Sequence, residues 1–104
     1  MLANAFSAGV PADDSASFSQ ERIVGVVQRL LADHSIEREF AAEQDLRDVG
    51  LTSLDMASLI LSVEAEFDLM IPERHITPTN FRSVSTITAL VTALLAAKAS
   101  SAAR

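Results

Sequence analysis

The sequence predicts a small all-α protein. Apolar residues recur at helical spacing in three segments, and no segment alternates apolar and polar residues as a half-buried strand would. The composition, 49% apolar and 21% charged over 104 residues, suits one globular domain with a modest core. We therefore expect a bundle of three main helices and one short third helix, with a long loop between the first two main helices.

The first helix is expected to begin at Ser19, a good N-cap, with Phe18 and Ile23 as a hydrophobic staple. Its apolar stripe consists of Ile23, Val27, Leu30, Leu31 and His34. Residues 1–18 show no apolar period, and residues 97–104 are nearly all Ala and Ser. The predicted domain therefore spans 19–96, between a flexible N-terminal extension and a flexible C-terminal tail.

The second main helix has the clearest start signal. Thr52 is a suitable N-cap, and Asp55 three residues later makes a variant of the capping box. This helix should run to about Phe67. Thr77-Pro78 resembles the cap and first residue of a short helical turn, and Ser83 is expected to open the last helix. Residues 35–51 have no sustained period, so they are either functional or contain an unrecognised element.

Two apolar faces follow from placing the second helix at about 100° per residue. The core face contains Met56, Leu59, Ile60, Val63 and Phe67. A narrower line of Leu54, Ala57 and Leu61 lies outside it and is interpreted as a docking stripe for another protein. The alternative is that these leucines are covered by the long loop or are scattered surface residues, which are common.

Ser53 is the main candidate functional residue. If Thr52 caps the helix, the Ser53 hydroxyl is free for modification, and an added phosphodiester would lie at the positive end of the helix dipole. The alternative is that Ser53 is itself the cap.

Charge and composition exclude several functions. Fourteen acidic and eight basic residues give a net charge of −6, which disfavours nucleic acids and anionic membranes as partners. No apolar run is long enough to span a membrane, and the first residues lack the basic region of a signal peptide, so we expect a cytoplasmic protein. We also expect it to be a monomer. There is no cysteine, and His34 and His75 have no second ligand at metal-binding spacing, so we expect no metal site and no catalytic residue.

Two segments resemble acyl carrier proteins. Residues 45–56 read DLRDVGLTSLDM, and residues 63–72 read VEAEFDLMIP. In that family a Gly-Leu or Leu-Gly pair precedes Asp-Ser-Leu at the start of helix II, and the helix closes with Glu-x-x-Phe-x-hydrophobic-x-Ile-Pro. The resemblance covers about residues 19–95 and implies the four-helix carrier fold.

The resemblance implies that Ser53 receives 4′-phosphopantetheine from coenzyme A through a phosphopantetheinyl transferase. The arm would carry acyl or aminoacyl groups as thioesters, loaded by a ligase and passed to an acyltransferase or synthase, with fatty acid biosynthesis and lipid metabolism as the expected setting. The implied partner contacts are Thr52, Leu54, Asp55, Ala57 and Leu61. The protein itself would not be an enzyme.

This chain departs from the family at Thr52, where Asp is usual, and at Ser58, where an acidic residue is common. Partners are therefore expected to dock more through apolar contacts than through charge. The alternative function is a non-carrier helical interaction domain that uses the Leu54, Ala57 and Leu61 line.

Overall fold

The computed structural model describes the backbone of residues 11–102 and the side chains of residues 18–98. The described chain is all-helical, as predicted. Its elements are α1 (Pro11–Asp33), α2 (Leu46–Val49), α3 (Ser53–Phe67), a 3₁₀ helix (Glu73–His75) and α4 (Val84–Ala102). Within this part of the chain, no helix is long and apolar enough to cross a membrane.

Helix α1 is longer than predicted. It begins at Pro11, so Ser19 lies inside the helix and is buried instead of capping it, and Phe18 is exposed in the same helix. The segment 11–18, predicted as part of a flexible extension, is helical. Pro suits the first turn of a helix because its missing N–H would have no intrahelical partner there. Residues 1–10 lie outside the described part.

Helix α4 also exceeds its prediction. Ser83 precedes the helix, and its Oγ accepts from the Thr86 backbone N–H at 3.2 Å, which confirms its capping role. The helix continues to Ala102, through residues assigned to the C-terminal tail. Residues 103–104 lie outside the described part, and the predicted division at 96 stays a prediction.

The long connection between α1 and α3 contains an element that the sequence reading did not resolve. Asp45 caps α2 by accepting from the Arg47 backbone N–H at 2.9 Å. Two backbone hydrogen bonds tie this connection to the start of α4: Leu46 N–H donates to the Arg82 carbonyl, and Ser85 N–H donates to the Ala42 carbonyl, both at 2.8 Å. A single helical turn is too short to show an apolar period in the sequence. Helix α2 therefore depends on these long-range hydrogen bonds.

The short helix lies earlier than predicted, at Glu73–His75. The turn at Thr77-Pro78 is present but is not a regular helix. Thr77 Oγ1 accepts from the Asn80 backbone N–H at 3.2 Å, and Thr77 O accepts from the Phe81 N–H at 3.2 Å, so Thr77 does cap this turn.

The core lies between α1, α3 and α4, where α1 packs against both other helices. The fully buried side chains include Ile23, Val27, Leu31, Leu59, Val63, Ile87 and Val91. Met56 and Ile60, predicted as core residues, are partly buried at its edge.

Polar contacts fasten α1 to both ends of α3. Arg22 donates from Nε to Glu66 Oε2 at 2.8 Å and lies over the Phe67 ring, 4.9 Å from its centroid. The Arg22 hydrogen bond holds the pKa of the Glu66 carboxyl below its usual value. At the other end of α1, His34 reaches Asp55 in the first turn of α3. The two helices are therefore antiparallel, and α1 helps to position the start of α3.

Candidate functional site

The start of α3 is a complete capping box. Thr52 has extended backbone angles, and its Oγ1 accepts from the Asp55 backbone N–H at 3.3 Å. In return, Asp55 Oδ2 accepts from the Thr52 backbone N–H at 2.7 Å and from the Thr52 hydroxyl at 2.9 Å. Thr52 is thus the cap, as predicted, and the alternative in which Ser53 caps the helix is wrong.

Ser53 is the first residue of α3 and is exposed. Among the described side chains, none makes a hydrogen bond with its hydroxyl. Helix N-terminal amides lack intrahelical partners and carry partial positive charge, so an anion attached here would be stabilised. The hydroxyl is therefore both free and well placed for attachment of a phosphodiester.

Asp55 turns inward, which differs from its expected role as a partner contact. It is only 9% exposed, and both carboxylate oxygens lie 2.9 Å from His34 Nε2. An ionised carboxylate only accepts, so His34 Nε2–H is the donor. The hydrogen bond from the Thr52 backbone, followed by that from His34, holds the pKa of the Asp55 carboxyl below its ordinary value, although burial opposes this.

Sequence reasoning missed the role of His34. It placed this residue at the end of the α1 stripe and assigned it no function. The signal was weak, because His34 and Asp55 are 21 positions apart and only the packing of α1 on α3 brings them together.

The predicted second face of α3 is exposed. Leu54 is 86% and Leu61 66% exposed, and Ala57 is exposed between them. The alternative in which the long loop covers these leucines is therefore wrong. They form a line that starts beside Ser53 and runs along the helix, which we call the apolar line.

A groove of about 420 Å³ opens beside Ser53. Its apolar part is formed by Met56 and Ile60 of α3 together with Ile76 and Phe81 from the connection to α4. Its polar part includes Arg47 and Arg82. The groove thus joins the exposed serine to an apolar surface between α3 and the following connection.

His75 lies in the 3₁₀ helix and is partly exposed. Within the described part of the chain, no three acidic or histidine side chains come together as metal ligands.

Comparison with known protein families identifies the family of this chain. The model of the family described as "Phosphopantetheine attachment site" matches residues 21–94. The chain belongs to this family. It is a carrier protein, which bears acyl or aminoacyl groups on covalently bound 4′-phosphopantetheine and is a substrate of other enzymes rather than an enzyme itself. This finding decides between the carrier and the non-carrier interaction domain.

Two curated relatives are aminoacyl carrier proteins from Bradyrhizobium diazoefficiens. Aminoacyl carrier protein 1 is 44% identical over 72 residues, which cover 69% of this chain and 80% of the relative. Aminoacyl carrier protein 2 is 43% identical over 72 residues, covering 69% and 81%.

Two solved structures support the fold. Both are crystal structures of Bradyrhizobium japonicum glycine:[carrier protein] ligase, one complexed with glycylated carrier protein and one with its cognate carrier protein and an analogue of glycyl adenylate. The first matches with a TM-score of 0.60 at 44% identity, covering 68% of this chain and 96% of the matched chain. The second matches with a TM-score of 0.62 at 43% identity, covering 71% and 96%.

The residues at the start of α3 fit the phosphopantetheine group. The attachment chemistry needs an accessible hydroxyl, and Ser53 has one that the helix cap does not use. The attached phosphodiester needs a favourable electrostatic environment, which the first turn of α3 supplies.

Proposed function

We propose that this carrier is modified on Ser53 Oγ and carries an amino acid, with glycine as the first candidate. The observation that supports the site is that two adjacent hydroxyl groups have different roles. Thr52 Oγ1 is engaged in the capping box, whereas Ser53 is exposed at the first helical position.

The relatives support the cargo. Both curated proteins are aminoacyl carriers, and the matched solved structures are complexes with a glycine:[carrier protein] ligase. We therefore favour amino acid transfer over the fatty acid biosynthesis and lipid metabolism expected from the broader family. The proposed partners are a phosphopantetheinyl transferase, an amino acid ligase and a downstream acyltransferase or synthase.

In the modification step, Ser53 Oγ attacks the phosphorus of coenzyme A that bears the pantetheine. The Oγ–P bond forms as the pyrophosphate P–O bond breaks, adenosine 3′,5′-bisphosphate leaves, and the transferase accepts the serine proton. The attached group supplies a terminal thiol that holds the cargo as a thioester. The role of this chain is to hold Ser53 on a fixed helix end, which the capping box and His34 stabilise.

We assign docking to Thr52 and to the apolar line of Leu54, Ala57 and Leu61. The line begins next to Ser53, so a partner that contacts it also covers the attachment point. Asp55 contributes indirectly, because its carboxylate is buried and holds the turn that presents the serine.

The attachment site is tested by intact mass after incubation with coenzyme A, magnesium and a broad-specificity transferase. We expect the mass of one phosphopantetheine on the wild type and none on Ser53→Ala. Ser58→Ala is the matched control, since Ser58 is another exposed serine of α3. Modification that persists in Ser53→Ala, or that is lost equally in Ser58→Ala, would contradict the assignment.

The cargo is tested on the modified protein with the Bradyrhizobium glycine:[carrier protein] ligase. We expect a glycyl thioester that hydroxylamine releases, and no loading of the unmodified protein. Efficient charging by a fatty acyl ligase, together with failure of the glycine ligase and of ligases for other amino acids, would overturn the aminoacyl proposal and leave the attachment site intact.

A further inference from the structure

The groove beside Ser53 carries positive charge in an acidic protein. The whole chain has a net charge of −6, yet the described residues that line the groove include Arg47 and Arg82 and only one acidic residue, Asp45. A local excess of cations against the overall charge indicates a site that favours an anion.

The two arginines come from different elements. Arg47 lies in α2, and Arg82 lies just before α4. The hydrogen bond from Leu46 N–H to the Arg82 carbonyl, at 2.8 Å, joins the two backbones directly. The pairing of these side chains at one groove is thus a consequence of tertiary structure and was not visible in the sequence.

Both guanidinium groups have N–H donors available for a ligand. Among the described side chains, Arg47 forms one ion pair, with Asp45, whose Oδ1 lies 3.8 Å from Arg47 Nε, beyond hydrogen-bond distance. Asp45 Oδ1 already accepts from the Arg47 backbone N–H. Among the described side chains, none forms an ion pair with Arg82. Arginine presents five donors in a planar fork that matches phosphate oxygens.

We propose that Arg47 and Arg82 form a binding site for the phosphodiester at the base of the carrier's own pantetheine arm. Ser53 lines the same groove, so an anion attached to its hydroxyl is placed at the mouth of the site. The site would combine the unpaired first-turn amides of α3 with the two arginines that line the groove. The inference rests on attachment at Ser53, as proposed above.

This site has a consequence for the arm. An anchored phosphodiester limits the directions in which the arm leaves the protein, and it favours a path along the groove between α3 and the connection to α4.

The test compares the apo and modified wild-type proteins by NMR of the arginine side chains. We expect the ¹⁵Nε resonances of Arg47 and Arg82 to shift on modification, and the shift to be lost at about 1 M salt, where the Debye length falls to about 3 Å. Arg74 is the internal control, because it is exposed in the 3₁₀ helix and does not line the groove. Unchanged Arg47 and Arg82 resonances, or an equal shift of Arg74, would overturn the proposal.

A second measurement follows the phosphorus itself. In the modified protein, Arg47→Gln and Arg82→Gln should each move the ³¹P resonance of the phosphodiester toward its position in unfolded protein, and Arg74→Gln should not. Three ³¹P spectra identical to the wild type would overturn the site.

Free coenzyme A distinguishes the arm from other sources of phosphate. Added in equimolar amount to Ser53→Ala, it should leave the Arg47 and Arg82 resonances unchanged, and a shift equal to that of the modified protein would overturn the assignment to the arm. Failure of Ser53 modification is seen separately by mass. If the modified protein forms and its arginines do not respond, only this further inference fails.

Discussion

Replacement of the buried carboxylate in the first turn of α3 tests how the site is held. Asp55 accepts hydrogen bonds from the Thr52 backbone at 2.7 Å, from the Thr52 hydroxyl at 2.9 Å and from His34 at 2.9 Å. Asp55→Ala removes all three and leaves the Thr52 N–H without its partner. We therefore expect this change to destabilise the fold much more than Ser53→Ala.

The magnitude follows from the groups involved. Loss of a helix cap costs about 1 kcal/mol, and a hydrogen bond to a charged group contributes about 1.5 to 3 kcal/mol. His34 is partly exposed, with 42% of its side chain accessible, so solvent screens its share. We expect Asp55→Ala to lower the free energy of unfolding by about 2 to 4 kcal/mol at pH 7.

The pH dependence has a definite sign. The pKa of Asp55 is lower in the folded protein than its ordinary value of 3.8, so its ionisation favours the folded state. This contribution is fully present above the unfolded pKa and is lost as pH falls through the folded pKa. The difference in stability between wild type and Asp55→Ala should therefore shrink as the pH falls below about 4.

Urea denaturation followed by circular dichroism measures both quantities. Thr52→Ala is the companion variant, because it breaks the same box from its other side while leaving the carboxylate in place. The reasoning is refuted if Asp55→Ala is as stable as the wild type at pH 7, or if the difference between them does not change between pH 6 and 3.

Three further predictions concern packing, backbone and docking. Phe67→Ala should cost about 3 to 5 kcal/mol in urea melts, because the ring is buried, and Ser53→Ala should cost less than about 1 kcal/mol; equal losses would contradict the assignment of the cap. Gly50→Ala should cost about 1 to 3 kcal/mol, because Gly50 has a φ of 137° and an added Cβ would lie 2.9 Å from Ile36 Cδ1. Gly25→Ala, where an added Cβ meets nothing within 4 Å, should instead be neutral or stabilising, and the opposite ranking would refute the backbone argument. Leu61→Asp should impair ligase loading at least tenfold without changing the circular dichroism spectrum, and Ala89→Asp on α4 is the equally charged control. Loading of the wild type should decline only moderately at 1 M salt. If the wild type instead loses its loading activity with salt while Leu61→Asp loads normally, charge dominates docking.

Local patterns predicted the start of α3 correctly. The capping box depends on two residues three positions apart, and the exposed apolar line depends only on helical geometry, so both are contained in a short stretch of sequence. The end of α3 was predicted equally well, since Asp68 ends it in a left-handed conformation one residue after Phe67.

Contacts between distant segments were beyond the sequence reading. Helix α2 is a single turn that depends on hydrogen bonds to residues near position 83, and His34 meets Asp55 only after α1 has packed on α3. The predicted start of α1 was wrong for another reason. Serine is a common N-cap residue, but burial of the Ser19 side chain in the bundle outweighs that local preference.

The His34 contact explains why one residue of the family motif serves structure in this chain. Asp55 is the second residue after the serine, and its hydrogen bonds with His34 and Thr52 hold its carboxylate inward, so that the residue is only 9% exposed. Thr52 stands where the family usually has an aspartate, so a second carboxylate is absent from the same turn. The first turn of α3 around Ser53 therefore presents hydroxyl and apolar groups, including Leu54, which is 86% exposed. A partner that binds this surface has little negative charge to contact, so apolar complementarity must provide more of the affinity. The acidic residues elsewhere in the chain then act mainly through long-range attraction, which salt screens.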